Sequence, residues 1–102
     1  MRLLVFSDLH RDLSAARGVA KRAPEADVVV GAGDYATRRE GLAGVIRELR
    51  AIDRPTVLVS GNSESVEELR RACDGWTAAH VLHGESVRIN GVTFFGVGCA
   101  VP

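Results

Sequence analysis

Lysine is nearly missing from this chain: of its 13 basic residues, only Lys21 is not arginine. The arginines are scattered, and 13 acidic residues cancel them, so no basic tract marks a surface for nucleic acid or an anionic membrane. Cysteine is equally sparse. Cys73 and Cys99 are too few for a disulfide scaffold and neither sits in a CxxC, so both read as small buried hydrophobes in a reducing compartment. Long hydrophobic runs are missing too. The longest nearly uncharged stretch, residues 92–102, is too short to span a bilayer, and the apolar run before Asp8 is too short for a secretory leader. A cytoplasmic location is therefore expected. There is no internal repeat, no low-complexity tract and no linker, and 102 residues suffice for one domain.

What is there alternates between strands and helices. Residues 2–7 (RLLVFS), 27–31 (DVVVG) and 55–60 (PTVLVS) are short apolar runs rich in branched side chains, as buried strands are. Between and after them, residues 13–22, 41–51 and 65–72 carry apolar positions at helical spacing. Leu42, Val45, Ile46 and Leu49 fall at i, i+3, i+4 and i+7, and Asp12 is placed to cap the first helix. Three strand–helix units in succession predict crossover connections and parallel strands. After Gly75 the texture changes. Residues 80–82 read as a short strand, and residues 85–89 and 92–97 flank Asn90-Gly91, the strongest short signal for an antiparallel hairpin.

In open α/β sheets, ligands sit beyond the carboxyl ends of the strands, so the residues after each strand carry the functional information. They are Ser7-Asp8-Leu9-His10, then Gly31-Ala32-Gly33-Asp34-Tyr35, then Gly61-Asn62-Ser63-Glu64. Each strand ends in oxygen or imidazole donors aimed at a common rim. Asp8 and His10 can face one ion, Asp34 can bridge two, and Asn62 offers a neutral oxygen to the second. A mixed O/N shell without thiolate favours Mn, Fe, Zn, Ni or Mg, with Mn placed first. Two such ions roughly 3.5–4 Å apart can hold a hydroxide and clamp a phosphoryl group.

SDLH, GAGDY and GNSE, in this order after successive strands, resemble the first three motifs of the calcineurin-like metallophosphoesterases (D-x-H, G-D and G-N-H-D/E). Within that family the chain is similar to the small bacterial and archaeal phosphodiesterase-like members. The resemblance implies that Asp8 and His10 bind the first metal, Asp34 bridges, and Asn62 binds the second. It implies hydrolysis of a small phosphomonoester or phosphodiester by metal-activated hydroxide. It also implies that this α/β chain, parallel units followed by a hairpin, is the N-terminal part of an αββα sandwich.

Two departures qualify these expectations. Ser63 stands where the family often has a histidine, which removes a candidate general acid and favours substrates with a good leaving group. Nothing resembling the family's later metal histidines, a lone His and then G-H-x-H, occurs before Pro102. The single domain, residues 1–102, is therefore expected to be C-terminally truncated, to turn over weakly or not at all alone, and to self-associate through apolar C-terminal strands. His80 and His83 read as structural. Arg11 reads as a surface arginine or a phosphate contact, Tyr35 as lining the substrate mouth or packing, Trp76 as structural, and Glu64 as the acidic position of the third motif or as a charge favouring the start of the third helix. Two alternatives compete with hydrolysis: a non-catalytic scaffold of the same fold, which would not need the ligand set, and an Asp8 nucleophile, which would want an acid where His10 stands.

Overall fold

The computed structural model describes residues 1–36, 41–61 and 64–98. The branched apolar runs form β1 (Leu3–Phe6), β2 (Val28–Gly31) and β3 (Thr56–Leu58), and a fourth short strand, β4 (Ala79–Val81), joins them. All four are parallel in the order β1-β2-β3-β4. The texture change after Gly75 therefore does not end the parallel sheet. β4 is its last strand, and only β5 (Glu85–Ile89) and β6 (Val92–Gly96) form the antiparallel addition. Asn90 and Gly91 both have positive φ, 52° and 79°, as the two-residue hairpin turn requires.

The helices follow the expected registers. α1 (Leu13–Arg22) is capped by Asp12, whose Oδ1 accepts the Ala15 N–H at 3.1 Å. α2 (Leu42–Leu49) buries Leu42, Val45, Ile46 and Leu49. α3 (Val66–Ala72) starts from a reciprocal capping box: the Ser65 hydroxyl accepts the Glu68 N–H, and the Glu68 carboxylate accepts the Ser65 N–H. One core cluster joins Ala16, Val45, Ile46, Leu49 and Leu69 of the helices to Phe6, Val29 and Leu58 of the sheet, so all three helices cover one face. The other face carries Val28, Val30, Val57 and Val59, which pack with Leu82 against Val87, Ile89 and Phe94 of the hairpin. The hairpin does not cover β1. Leu3 and Val5, in register with Val28 and Val30, are 50% and 59% exposed, and Phe95 on the hairpin's outer side is 67% exposed.

Trp76 is buried and donates its Nε1–H to the Ile52 carbonyl, a structural role as expected. Cys73 is buried as well, while Cys99 lies outside the described residues. Burial pushes the Cys73 thiol from 9.0 up to about 11. Between those values the unfolded chain binds fewer protons than the folded one, so stability must fall as pH rises. The contribution is complete below pH 9 and lost as pH passes about 11. A rise of that size corresponds to about 2–3 kcal/mol. Urea unfolding midpoints should therefore hold steady from pH 7 to 9 and then drop, with Cys73→Ala showing a shallower drop. Identical alkaline profiles for the two proteins would contradict this.

Candidate functional site

The site begins with where the strands stop. In register, Phe6 pairs with Gly31, Gly31 with Leu58, and Leu58 with Val81, so the four carboxyl ends finish level and release their loops at one rim. Backbone hydrogen bonds then zip the first two loops together. Asp8 N–H donates to Gly33 O at 3.2 Å, His10 N–H to Asp34 O at 3.0 Å, and Arg11 N–H to Tyr35 O at 2.7 Å.

This zipper is built from left-handed backbone. Asp8, His10, Arg11 and Asp34 have φ of 57°, 46°, 57° and 58°. The conformation costs on the order of 1–2 kcal/mol per L-residue, and short polar Asp and Asn tolerate it best because their side chains can bond locally. Three of the four predicted ligands, Asp8, His10 and Asp34, therefore sit on strained backbone. Such outliers concentrate at functional sites and persist only where their surroundings hold them.

The side chains of Asp8 and His10 are brought together. His10 Nε2 lies 3.5 Å from Asp8 Oδ1, with about half or more of each side chain exposed, and Asp8 Oδ2 accepts the Ser7 hydroxyl at 3.1 Å. Asp34 emerges from the adjoining loop against Gly61: a Cβ on Gly61 would lie 2.6 Å from Asp34 N and 2.8 Å from its Cγ. Gly33, at φ 107°, has equally little room beside the Gly61 backbone. Only residues without a side chain let these two loops approach so closely. Among the described residues, no three His, Cys, Asp or Glu side chains converge on a single point. Asn62, the fourth predicted ligand, lies outside the described residues, as does Ser63.

One residue at the rim, at the acidic position of the third motif, has hydrogen-bond partners that lie away from the helix it precedes. The capping hydrogen bonds of α3 are made by Ser65 and Glu68, not by Glu64. Glu64 is 3% exposed, and its carboxylate faces back to the second loop. Oε2 accepts the N–H groups of Asp34 (3.0 Å) and Gly61 (2.6 Å), and Oε1 those of Tyr35 (2.9 Å) and Ala36 (3.2 Å). Hydrogen bonds to a charged group contribute roughly 1.5–3 kcal/mol each, though not additively. The available signal was the S-x-x-E capping box starting at Ser65, which left Glu64 outside the helix.

Tyr35 is buried, so it packs and does not line a mouth. Its hydroxyl donates to Val59 O at 2.8 Å and its ring meets Phe6 edge-on at 5.9 Å. Burial, then the Glu64 carboxylate, pushes its phenol well above the usual range. Arg11 lays its aliphatic stem over Gly41, the residue preceding α2. His80 lies within β4, and His83 Nδ1 accepts the Gly98 N–H at 3.1 Å.

Comparison with known proteins gives the chain a family. The sequence model of the calcineurin-like phosphoesterase superfamily domain matches residues 1–95. The chain belongs to the calcineurin-like phosphoesterase superfamily. Two solved structures share its fold. TT1561 of Thermus thermophilus aligns over 95% of this chain and 48% of its own, with a TM-score of 0.81 and 24% identity. A second aligns over 95% of this chain and 52% of its own, with a TM-score of 0.74 and 18% identity. The chain thus spans about half the length of the solved structures it matches. No curated protein matches it.

Calcineurin-like phosphoesterases generally use divalent metals. The donor chemistry at this rim suits such ions: two carboxylates, Asp8 and Asp34, and one imidazole, His10, with no thiolate among the described residues of these loops. The exposed Asp8–His10 pair, 3.5 Å apart, leaves both groups open to a shared cation.

Proposed function

We propose that this domain hydrolyses a small phosphomonoester or phosphodiester with two divalent cations, Mn foremost, held by Asp8, His10, Asp34 and Asn62. The observation that supports this reading is the level rim at which two loops, zipped by backbone hydrogen bonds through left-handed residues, carry the Asp8–His10 pair on one and Asp34 on the other. The cations would supply Lewis acidity for attack of water on phosphorus. Asp8 and His10 would hold one cation from the β1 loop. Asp34 would reach both, its backbone tied by its carbonyl to His10 and by its N–H to Glu64. Serine at position 63 offers no imidazole to protonate a departing alkoxide, which favours substrates whose leaving group departs unaided.

The test is hydrolysis of bis-p-nitrophenyl phosphate by the chain in Mn²⁺, with EDTA as the control. Release of nitrophenolate that depends on the metal is expected, at a low rate if further ligands are needed. Turnover that EDTA leaves untouched would defeat the metal reading.

The exposed Leu3, Val5 and Phe95 support a second expectation, that the chain associates with itself. Sedimentation velocity should show the average mass rising with concentration, and Val5→Lys should lower it. A monomer at every concentration would overturn this.

A further inference from the structure

We propose that Glu64 is a positioning residue for the metal site: its buried carboxylate presets the backbone that presents Asp34. This role rests on the metal-dependent reading above and adds to it a residue outside the ligand set. The successive N–H groups of Asp34, Tyr35 and Ala36 point to one side of the chain, the arrangement that elsewhere forms an anion-binding nest. Here the nest is filled by the protein's own carboxylate, with the Gly61 N–H completing four donors at 2.6–3.2 Å. Two consequences follow. A phosphate cannot take this nest while the Glu64 carboxylate fills it. And the left-handed Asp34, with no glycine freedom of its own, is held from both directions. Its N–H is fixed by Glu64, and its carbonyl by His10 N–H at 3.0 Å. The same carboxylate also ties the Gly61 backbone to the Asp34 loop.

A carboxylate that only stabilised the fold would act equally on every property of the chain. One that presets ligands must act on metal affinity beyond its effect on stability, and metal binding must in turn tighten the strap, because coupling between two sites is reciprocal. Glu64→Gln keeps the shape but replaces one acceptor oxygen with a donor facing N–H groups. Calorimetric titration of the full chain with Mn²⁺ alone should show affinity weakened by about 10–100-fold, the usual effect of losing a group that orients a metal ligand. Ile46→Val and Leu49→Ala on α2 serve as controls that bracket its melting temperature, and they should bind Mn²⁺ as the parent does. Should Glu64→Gln fail to fold, hydrogen exchange of the parent chain decides. Peptides containing Asp34 to Ala36 and Gly61 should exchange more slowly when Mn²⁺ is bound.

Equal Mn²⁺ affinity in a folded Glu64→Gln, or exchange at the strap unmoved by bound Mn²⁺, would overturn the positioning role and leave the metal reading standing. A parent chain that binds no Mn²⁺ would overturn both.

Discussion

Replacing Asp34 by Asn should abolish metal-dependent hydrolysis and weaken Mn²⁺ binding by roughly 100-fold or more, a larger loss than the 10–100-fold typical of groups that merely orient a ligand. The substitution is nearly isosteric, so the loops should keep their shape. Asp34 sits where the β1 and β2 loops meet, its carbonyl bonded to His10 N–H and its side chain against Gly61. An amide there keeps one oxygen but loses the charge and the second anionic donor needed to reach two cations. The measurement is a paired Mn²⁺ titration and nitrophenolate assay, with circular dichroism to show that the fold is retained. Undiminished binding in a folded Asp34→Asn would remove Asp34 from the ligand set.

The second large effect is expected at Gly61→Ala. The added methyl would meet Asp34 Oδ1, its N at 2.6 Å and its Cγ at 2.8 Å. Two of these three belong to a side chain, but the third is backbone, and that backbone is pinned by Glu64 and by the zipper to the first loop. It cannot yield without breaking those bonds. Overpacking of this kind costs typically 1–3 kcal/mol and occasionally more. For a domain of this size, about 3 kcal/mol corresponds to a fall in melting temperature of roughly 12–24 °C. Because the displaced group is Asp34 itself, Mn²⁺ affinity should fall with it. A variant that melts like the parent would show that the two loops are not in this contact.

Much of this arrangement is legible in the residues. DVVVG and PTVLV announce strands because branched apolar side chains suit a sheet buried on both faces; RLLVF forms a strand as well, but Leu3 and Val5 stay exposed, so β1 is not the buried strand its composition suggests. Leu42, Val45, Ile46 and Leu49 announce a helix by their spacing. Asp8, His10 and Asp34 stand out as donors immediately after strands, and the level register makes that position meaningful. What was not legible depends on contacts distant in sequence. β4 is three residues long and half-buried throughout, too short for a period to distinguish a fourth parallel strand from an antiparallel one. Glu64 reads locally as a helix-start charge, and only the fold brings it within reach of N–H groups 28 to 30 residues away. Tyr35 follows a candidate ligand, yet its ring turns inward to Phe6, a contact between the loop after β2 and the end of β1 that no local pattern encodes.

The central claim is that Asp8, His10, Asp34 and Asn62 are metal ligands, and an anomalous-difference map from crystals of this chain soaked in MnCl₂ tests it most directly. The account predicts a strong peak at the rim within coordination distance of Asp8, His10 and Asp34, with a second peak beyond Asp34 toward Gly61. Peaks elsewhere on the surface, with the rim empty, would contradict it.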